Sequence, residues 1–335
     1  MVKPAVKANI MLFASIIIML IPTGVVLLIG WKSATSLAML AAMGGLFSAI
    51  GLRGRGLLLF TAASGVSVFL ASLVSENPFA SAGLMLVCGG AFGAANKWGL
   101  SMWNFMFPVF AAAVIAEPPQ LVNIPVPNAL LTSAIVMGCI VAAALLTMII
   151  VKEPKQTEIE RFPARVNVMF AVNLAVLMAG AGYYASTFRH EQLGVWLTLT
   201  IVIVLIRPYG AESASRAIQR AAGTVIGFLI AIGVGASLLP DYLYYVAGFA
   251  FLEVALLMRI SPVKKYWEYV MFLTPGVVLI SGTPAEIGSV SNDRLLATAL
   301  AAVAALLLLG LERLLFWRGG FAKAQGAVPS TASTH

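Results

Sequence analysis

The sequence predicts an all-α polytopic membrane protein with about twelve transmembrane helices, arranged as two parallel six-helix repeats. Three observations lead to this fold class. Of the 335 residues, 61% are hydrophobic and 10% are charged; apolar runs alternate with short basic segments; and landmarks of the first half recur in the second. Globular proteins average roughly 25% charged residues. The composition therefore excludes a water-soluble enzyme, because too few polar side chains are available to cover a soluble surface.

Metal and redox chemistry are also not expected. The chain has two cysteines, Cys88 and Cys139, and two histidines, His190 and His335. These are too few for a disulfide framework or a Cys/His metal cluster, so we expect no metal and no cofactor. The net charge is +8, but the sequence contains no long block of like charge. Nucleic acid is therefore not an expected partner.

Twelve apolar runs are candidates for membrane spans, because a bilayer core about 30 Å thick needs roughly 20 mostly apolar residues per helix. In the first half they cover residues 8–30, 34–52, 57–74, 79–95, 100–116 and 126–151. In the second half they cover residues 166–184, 193–206, 221–239, 242–258, 266–281 and 295–316. The first run is longer than the apolar core of a signal peptide, and we interpret it as a retained span.

The distribution of basic residues tests these spans independently. With the N-terminus in the cytoplasm, 18 of the 21 lysines and arginines fall in cytoplasmic loops or tails, and only Lys32, Arg189 and Arg294 fall outside. Short cytoplasmic loops are expected to be enriched in Lys and Arg. The pattern predicts a multi-pass protein of the cytoplasmic (inner) membrane, surrounded by lipid bilayer, with both termini in the cytoplasm.

An internal repeat is predicted by landmarks spaced about 165 residues apart. Trp31 pairs with Trp196, and Arg55 pairs with Arg220, at this offset. Six spans per half give both halves the same orientation, which is a transporter architecture. The predicted organisation is a first repeat over residues 1–151, a cytoplasmic linker over 152–165, a second repeat over 166–318 and a disordered cytoplasmic tail over 319–335.

Three arginines in the second half are candidate anion-binding residues. Arg207 precedes a proline, which ends a helix. Arg216 and Arg220 are four residues apart and would share a helical face, so their guanidinium groups suit a carboxylate or phosphate. The alternative is that they set topology and contact lipid headgroups. Gly223 and Gly227 form a G-x-x-x-G pattern, which favours close helix packing.

Proline-interrupted spans are a second candidate feature, because broken helices expose backbone groups to a binding site. The fifth span contains Pro108 and the eleventh contains Pro275. The nearby aromatic and polar residues, which would suit a planar aromatic acid, are Trp103, Asn104, Phe105, Trp267, Glu268, Tyr269 and Thr274. The alternatives are an aromatic belt at the membrane interface and a Thr274 hydroxyl that only caps carbonyls freed by the proline.

Glu253 is a carboxylate inside the otherwise apolar tenth span. Charges in such positions are costly and point to function, so Glu253 is the candidate proton carrier. The alternative is a structural role, in which the side chain snorkels to the membrane interface or forms an ion pair. Thr198 and Thr200 are two apart and cannot share a helical face, so one of them is expected to bond its own helix.

The stretch from Trp196 to Gly227 resembles the fusaric acid resistance family of integral membrane transporters, which includes aromatic acid exporters, and is distantly similar to aluminium-activated malate transporters. The residues that carry the resemblance are Trp196, Thr198, Thr200, Arg207, Pro208, Arg216, Arg220, Gly223, Thr224 and Gly227. Weaker similarity extends to the Tyr-Trp-Glu-Tyr segment at residues 266–269. The resemblance implies a transporter. Many larger members of the family carry a soluble cytoplasmic region between the two halves, and the short predicted linker at residues 152–165 leaves no room for one.

The expected function is proton-driven export of small organic anions, aromatic ones in particular, with no enzyme activity. No H-E-x-x-H and no P-loop pattern is present. Two alternatives stay open at this point: a passive anion channel, and a non-transporting membrane subunit that partners a periplasmic adaptor or an envelope enzyme.

Overall fold

The computed structural model describes residues 4–52, 54–98, 106–150, 164–188, 193–205, 210–237, 240–260, 265–281 and, in part, 292–310. Within these ranges the chain forms helices and turns and contains no strand. Most of the predicted linker, at residues 152–163, and the whole predicted tail, at 319–335, lie outside the described residues.

The α-helices of the described residues are labelled in chain order. They are α1 (Pro4–Leu28), α2 (Thr35–Gly51), α3 (Arg55–Val74), α4 (Pro78–Ala95), α5 (Met106–Ala116), α6 (Pro125–Ile150), α7 (Ala164–Thr187), α8 (Leu193–Val204), α9 (Gly210–Gly235), α10 (Asp241–Ile260), α11 (Tyr266–Ser281) and α12 (Leu295–Ala304). A short 3-10 helix, Lys32–Ala34, precedes α2, and another, Asn96–Trp98, follows α4.

Six of these helices are long and apolar enough to cross a membrane: α2 with its 3-10 turn, α3, α4, α6, α7 and the part of α9 from Ala217. The described parts of α5 and α8 have 11 and 12 residues. At about 1.5 Å per residue they extend only about 17–18 Å, less than a bilayer core of about 30 Å. The described part of the chain is all-helical with several candidate membrane spans, and the twelve spans and two repeats stay predictions.

The start of α4 shows why some helix boundaries could be predicted within one residue. The Asn77 side chain accepts hydrogen bonds from the backbone N–H groups of Phe79 at 3.0 Å and Ala80 at 3.1 Å. Pro78 occupies the first helical position, where its missing N–H costs nothing. Asparagine followed by proline is a local helix-start signal, so it does not depend on the rest of the fold.

The start of α9 differs from the prediction. We expected the ninth span to begin near residue 221 after a basic turn, but α9 begins at Gly210. Arg216 and Arg220 are therefore both helical, as their spacing predicted. The charges mark where an apolar segment begins, but they do not end a helix. No proline interrupts the segment between residues 210 and 221, and alanine, arginine and glutamate are compatible with helix.

The core of the first half forms where α2 packs against α5 and α6. Gly44 lies so close to α5 that an added Cβ would be 3.3 Å from the Met106 Cβ. Gly45 lies directly against the Ile140 backbone of α6. Phe110 of α5 is completely buried between these helices. Small residues at these positions allow the close backbone approach that is typical of membrane helix pairs.

Helices α4 and α7 form an antiparallel pair that joins the two halves of the chain. An added Cβ at Gly89 would lie 2.6 Å from the Leu174 carbonyl oxygen, and Gly93 lies directly against Ala171. At one end of the pair, the Asn96 amide nitrogen donates to the Asn167 side-chain oxygen at 2.7 Å. At the other end, the Ser186 hydroxyl donates to the Ser75 carbonyl at 2.7 Å. We call this contact the α4–α7 seam.

Helices α9, α10 and α11 form a second packed group. Its buried apolar cluster consists of Ala231, Tyr244, Val278 and Leu279. Gly276 of α11 lies against Leu252 of α10, where an added Cβ would be 2.9 Å from the Leu252 backbone nitrogen. This group contains most of the candidate functional residues of the second half.

Candidate functional site

One face of α9 packs against α11. Arg220, Gly223 and Gly227 are three and four residues apart and therefore share this face. An added Cβ at Gly223 would lie 2.5 Å from the Trp267 carbonyl oxygen. An added Cβ at Gly227 would lie 2.7 Å from the Met271 carbonyl oxygen. The two helices run parallel, since later residues of α9 meet later residues of α11. The G-x-x-x-G pattern thus packs two helices closely, as the sequence favoured.

Arg220 lies on this face one turn before the glycines. It is 2% exposed, although it carries one of the largest side chains in the protein. Its Nη1 donates to the Tyr266 hydroxyl oxygen at 3.2 Å. Its Nε is buried and has no hydrogen-bond acceptor among the described residues. Arg220 is therefore packed inside the helix group.

A buried guanidinium with an unused N–H is energetically unfavourable. An unsatisfied buried donor costs about 1–3 kcal/mol, and more for a charged group. Arg220 is also the fourth residue of the apolar segment that begins at Ala217. An anion that accepts a hydrogen bond from Nε would relieve this cost, and carboxylates match guanidinium geometry well. The arrangement is therefore chemically suited to binding an anion.

The first turn of α11 supplies Tyr266, which contacts Arg220, and a second tyrosine on the same helical face. Tyr266 and Tyr269 are three residues apart and share a helical face, with ring centroids 5.9 Å apart. Glu268 is two residues from Tyr266 and therefore projects to a different side of the helix. An acidic residue in a first turn is favourable to the helix dipole. The first turn of α11 also places the positive end of a helix dipole near Arg220.

Thr274 and Pro275 take structural positions in α11. We expected Pro275 to interrupt this helix, but α11 continues through it. The Thr274 hydroxyl donates to the Val270 carbonyl at 3.0 Å, so it bonds its own helix and not the Met271 carbonyl, which is the one that Pro275 leaves without a helical donor. Proline inside a helix is tolerated when neighbouring groups compensate for the lost hydrogen bond. Here the Thr274 and Pro275 side chains both lie against Gly227.

The other candidate residues are placed only in part. Pro108 is buried in α5, whose described part begins at Met106. Trp103, Asn104, Phe105 and Arg207 lie outside the described residues. Arg216 lies on α9 and Glu253 on α10, while their side chains are outside what the structure describes. Trp267 is half-buried, and its backbone carbonyl faces Gly223.

The predicted threonine pair is buried in α8. Thr198 donates to the Gly194 carbonyl at 3.0 Å, so it bonds its own helix as expected for one of the two. Thr200 is buried as well. Among the described residues, no group of three or more His, Cys, Asp or Glu side chains could hold a metal ion.

The second half of the chain is similar to a known protein family. Residues 177–308 match the family described as fusaric acid resistance protein-like. The match covers 132 of the 335 residues and supports the family assignment for this part of the chain. The match confirms the resemblance that we drew from the segment between Trp196 and Gly227, and it also includes α11. No curated protein sequence and no solved structure matches the chain.

The fusaric acid resistance protein-like region contains one contact residue that the sequence did not single out. Tyr266, the acceptor for Arg220, was noted only as part of a family-like segment, while Trp267, Glu268 and Tyr269 were selected as site residues. The spacing signal was present, because Tyr266 and Tyr269 lie on the same side of the helix. Which of the two tyrosines reaches Arg220 depends on the register between α9 and α11, and that register is a tertiary feature.

Replacing Gly227 with alanine should weaken the packing of α9 against α11. The new Cβ would lie 2.7 Å from both the Met271 carbonyl oxygen and the Thr274 Cβ, so the helices must separate. Overpacking of this kind destabilises by about 1–3 kcal/mol, and thermal unfolding in detergent would measure it. Gly233→Ala on the same helix is the matched control, since its Cβ would meet nothing within 4 Å. Equal stability of the two variants would contradict the described helix contact.

Proposed function

We propose that the protein exports small organic anions, aromatic carboxylates in particular, across the cytoplasmic membrane and uses the proton gradient to drive export. The family assignment and the apolar helices support a membrane transporter-like protein. The observation that carries the proposal further is the burial of Arg220 with its Nε lacking an acceptor in the described part of the chain. A transported anion would satisfy that donor.

In the proposed mechanism, Arg207 and Arg216 attract the anion to the cytoplasmic end of the bundle. Arg220 then binds its carboxylate between α9 and α11. Trp103 and Asn104 of the fifth span, with Trp267, Tyr269 and their neighbours in the eleventh, hold the ring. Glu253, within α10, carries the proton. The twelve spans, the repeat of two six-helix halves and the cytoplasmic location of both termini are part of the same proposal, supported by the distribution of basic residues.

The test is a flux measurement with the purified protein in liposomes. A pH gradient is imposed, and the movement of 4-hydroxybenzoate is followed and corrected with protein-free liposomes for permeation of the neutral acid. We expect protein-dependent flux that stops when the gradient is dissipated. Flux that follows membrane voltage instead would identify a channel. Absence of flux for every anion tested would favour a non-transporting subunit that works with an adaptor or an envelope enzyme.

Proton coupling is tested separately with Glu253→Gln. If Glu253 carries the proton, this variant should move 4-hydroxybenzoate only down its own concentration gradient, at a rate that no longer responds to the imposed pH difference. Flux that keeps its full dependence on the pH gradient would remove Glu253 from the mechanism and leave the anion site untouched.

A further inference from the structure

The guanidinium group of Arg220 is held by one edge. Arginine carries five N–H donors in a plane. Within this plane Nη1 is cis to Cδ. The Nε–H and Nη2 donors point along the opposite edge of the group. The Tyr266 hydroxyl occupies Nη1 at 3.2 Å. The edge that contains Nε is therefore turned away from Tyr266, and Nε meets no acceptor in the described ranges.

Tyr266 lies where α11 packs closely against α9. It is the first residue of α11. The next residue, Trp267, has its carbonyl oxygen against Gly223, and Val270 one turn later also lies against Gly223, where an added Cβ would be 2.8 Å from the Val270 Cβ. The register between α9 and α11 is thus fixed within one turn of both Arg220 and Tyr266. With the backbone register fixed here, the hydrogen bond from Nη1 to the Tyr266 hydroxyl restricts the rotation of the long arginine side chain.

We infer that Tyr266 is a positioning residue that turns the Nε edge of Arg220 toward the anion, so that the site selects carboxylates over anions that carry their charge on one atom. This inference rests on the proposed anion-binding role of Arg220. Two coplanar carboxylate oxygens accept two parallel hydrogen bonds from such an edge, and this paired geometry adds both strength and specificity. An anion with a single acceptor atom gains the charge attraction but only one well-aligned bond.

The test compares two ligands of the same ring size. 4-Hydroxybenzoate presents a carboxylate, and 4-cyanophenolate, used at a pH at which it is ionised, presents a single charged oxygen. Binding to the purified full-length protein in detergent is measured by ligand-dependent thermal stabilisation. The wild type should bind 4-hydroxybenzoate about tenfold more tightly than 4-cyanophenolate, the difference expected for one additional charge-assisted hydrogen bond.

The decisive variant is Tyr266→Phe, which removes only the hydroxyl. It should weaken 4-hydroxybenzoate binding about tenfold, change 4-cyanophenolate binding by less than about twofold, and so abolish the preference. Tyr244→Phe is the matched control, because it removes another buried hydroxyl, which donates to the Gly235 carbonyl at 3.2 Å in the same helix group. A merely structural effect would lower stability in both variants and leave the ratio of the two affinities unchanged.

Several outcomes overturn the inference: equal affinities in the wild type, a preference that survives in Tyr266→Phe, or no binding of 4-hydroxybenzoate. If Tyr266→Phe does not fold, Arg220→Lys still tests whether the arginine edge gives the carboxylate preference, because an ammonium group is a point charge without a planar edge and should also lose the preference. The proposed transport is judged independently. If the protein shows the binding preference but no flux in liposomes, transport is rejected and the positioning role of Tyr266 is retained. If flux is observed but Tyr266→Phe keeps the preference, transport is retained and the positioning role is rejected.

Discussion

Arg220→Gln is expected to lower the apparent affinity for 4-hydroxybenzoate at least about 30-fold. The side chain is 2% exposed, so the anion it binds is shielded from water. Removing one partner of a buried, hydrogen-bonded charge pair costs about 2–5 kcal/mol, and about 1.4 kcal/mol corresponds to a factor of ten. The measurement is the concentration dependence of flux in liposomes, after gel filtration has shown that the variant is monodisperse.

Arg55→Gln is the matched control for this loss. Arg55 lies 165 residues before Arg220, at the position that the predicted repeat pairs with it, yet it begins α3 as an exposed residue. Its replacement should change the affinity less than about twofold, because an exposed charge in high dielectric contributes little. An equal loss in the two variants would indicate that general positive charge, and not a buried site, attracts the anion.

Gly93→Ala is expected to disrupt the α4–α7 seam. The new Cβ would press directly on the Ala171 Cα and lie 2.9 Å from the Ala171 Cβ. A side chain can move aside, but a helix backbone can only be displaced as a whole. We therefore expect destabilisation near the upper end of the 1–3 kcal/mol that overpacking usually costs, about 3 kcal/mol. Thermal unfolding of the detergent-solubilised protein measures the effect.

The control for the seam is Gly83→Ala on the same helix. Its Cβ would meet nothing within 4 Å, so the alanine adds no clash. Alanine favours helix over glycine by up to about 1 kcal/mol, and we expect this variant to be slightly more stable than the wild type. Opposite signs for two identical substitutions ten residues apart would locate the seam. Destabilisation of the same size in both would show that α4 is packed on other faces as well.

Local signals predicted the elements of the fold well. Each apolar run overlaps a described helix, and the Asn77-Pro78 pair marks the start of α4. The start of α9 was missed because the charges of Arg216 and Arg220 were read as the edge of a membrane span. A helix continues into water when its residues favour helix, so charge marks the apolar boundary and not the end of the helix.

For the candidate site, the sequence predicted only which residues of one helix share a face. Arg220, Gly223 and Gly227 share a face by their spacing, and the glycines predicted a close partner. The identity of that partner was beyond the sequence, because it depends on how α9 and α11 are aligned. The burial of Arg220 and its contact with Tyr266 both arise from this alignment. Thr274 was selected for its polarity, but its hydroxyl is used within α11.

The α4–α7 seam has a consequence for how the protein is made. Ribosomes add about 5–20 residues per second, so α7 follows α4 by a delay on the order of ten seconds. During that delay the Gly89 and Gly93 face of α4 has no native partner, and the Asn96 amide must be covered by lipid headgroups, by another helix or by an insertion factor. Substitutions in the seam should therefore reduce the yield of inserted protein as well as its stability. The newly made first half is therefore a folding intermediate whose α4 contact surface is completed only when α7 is inserted.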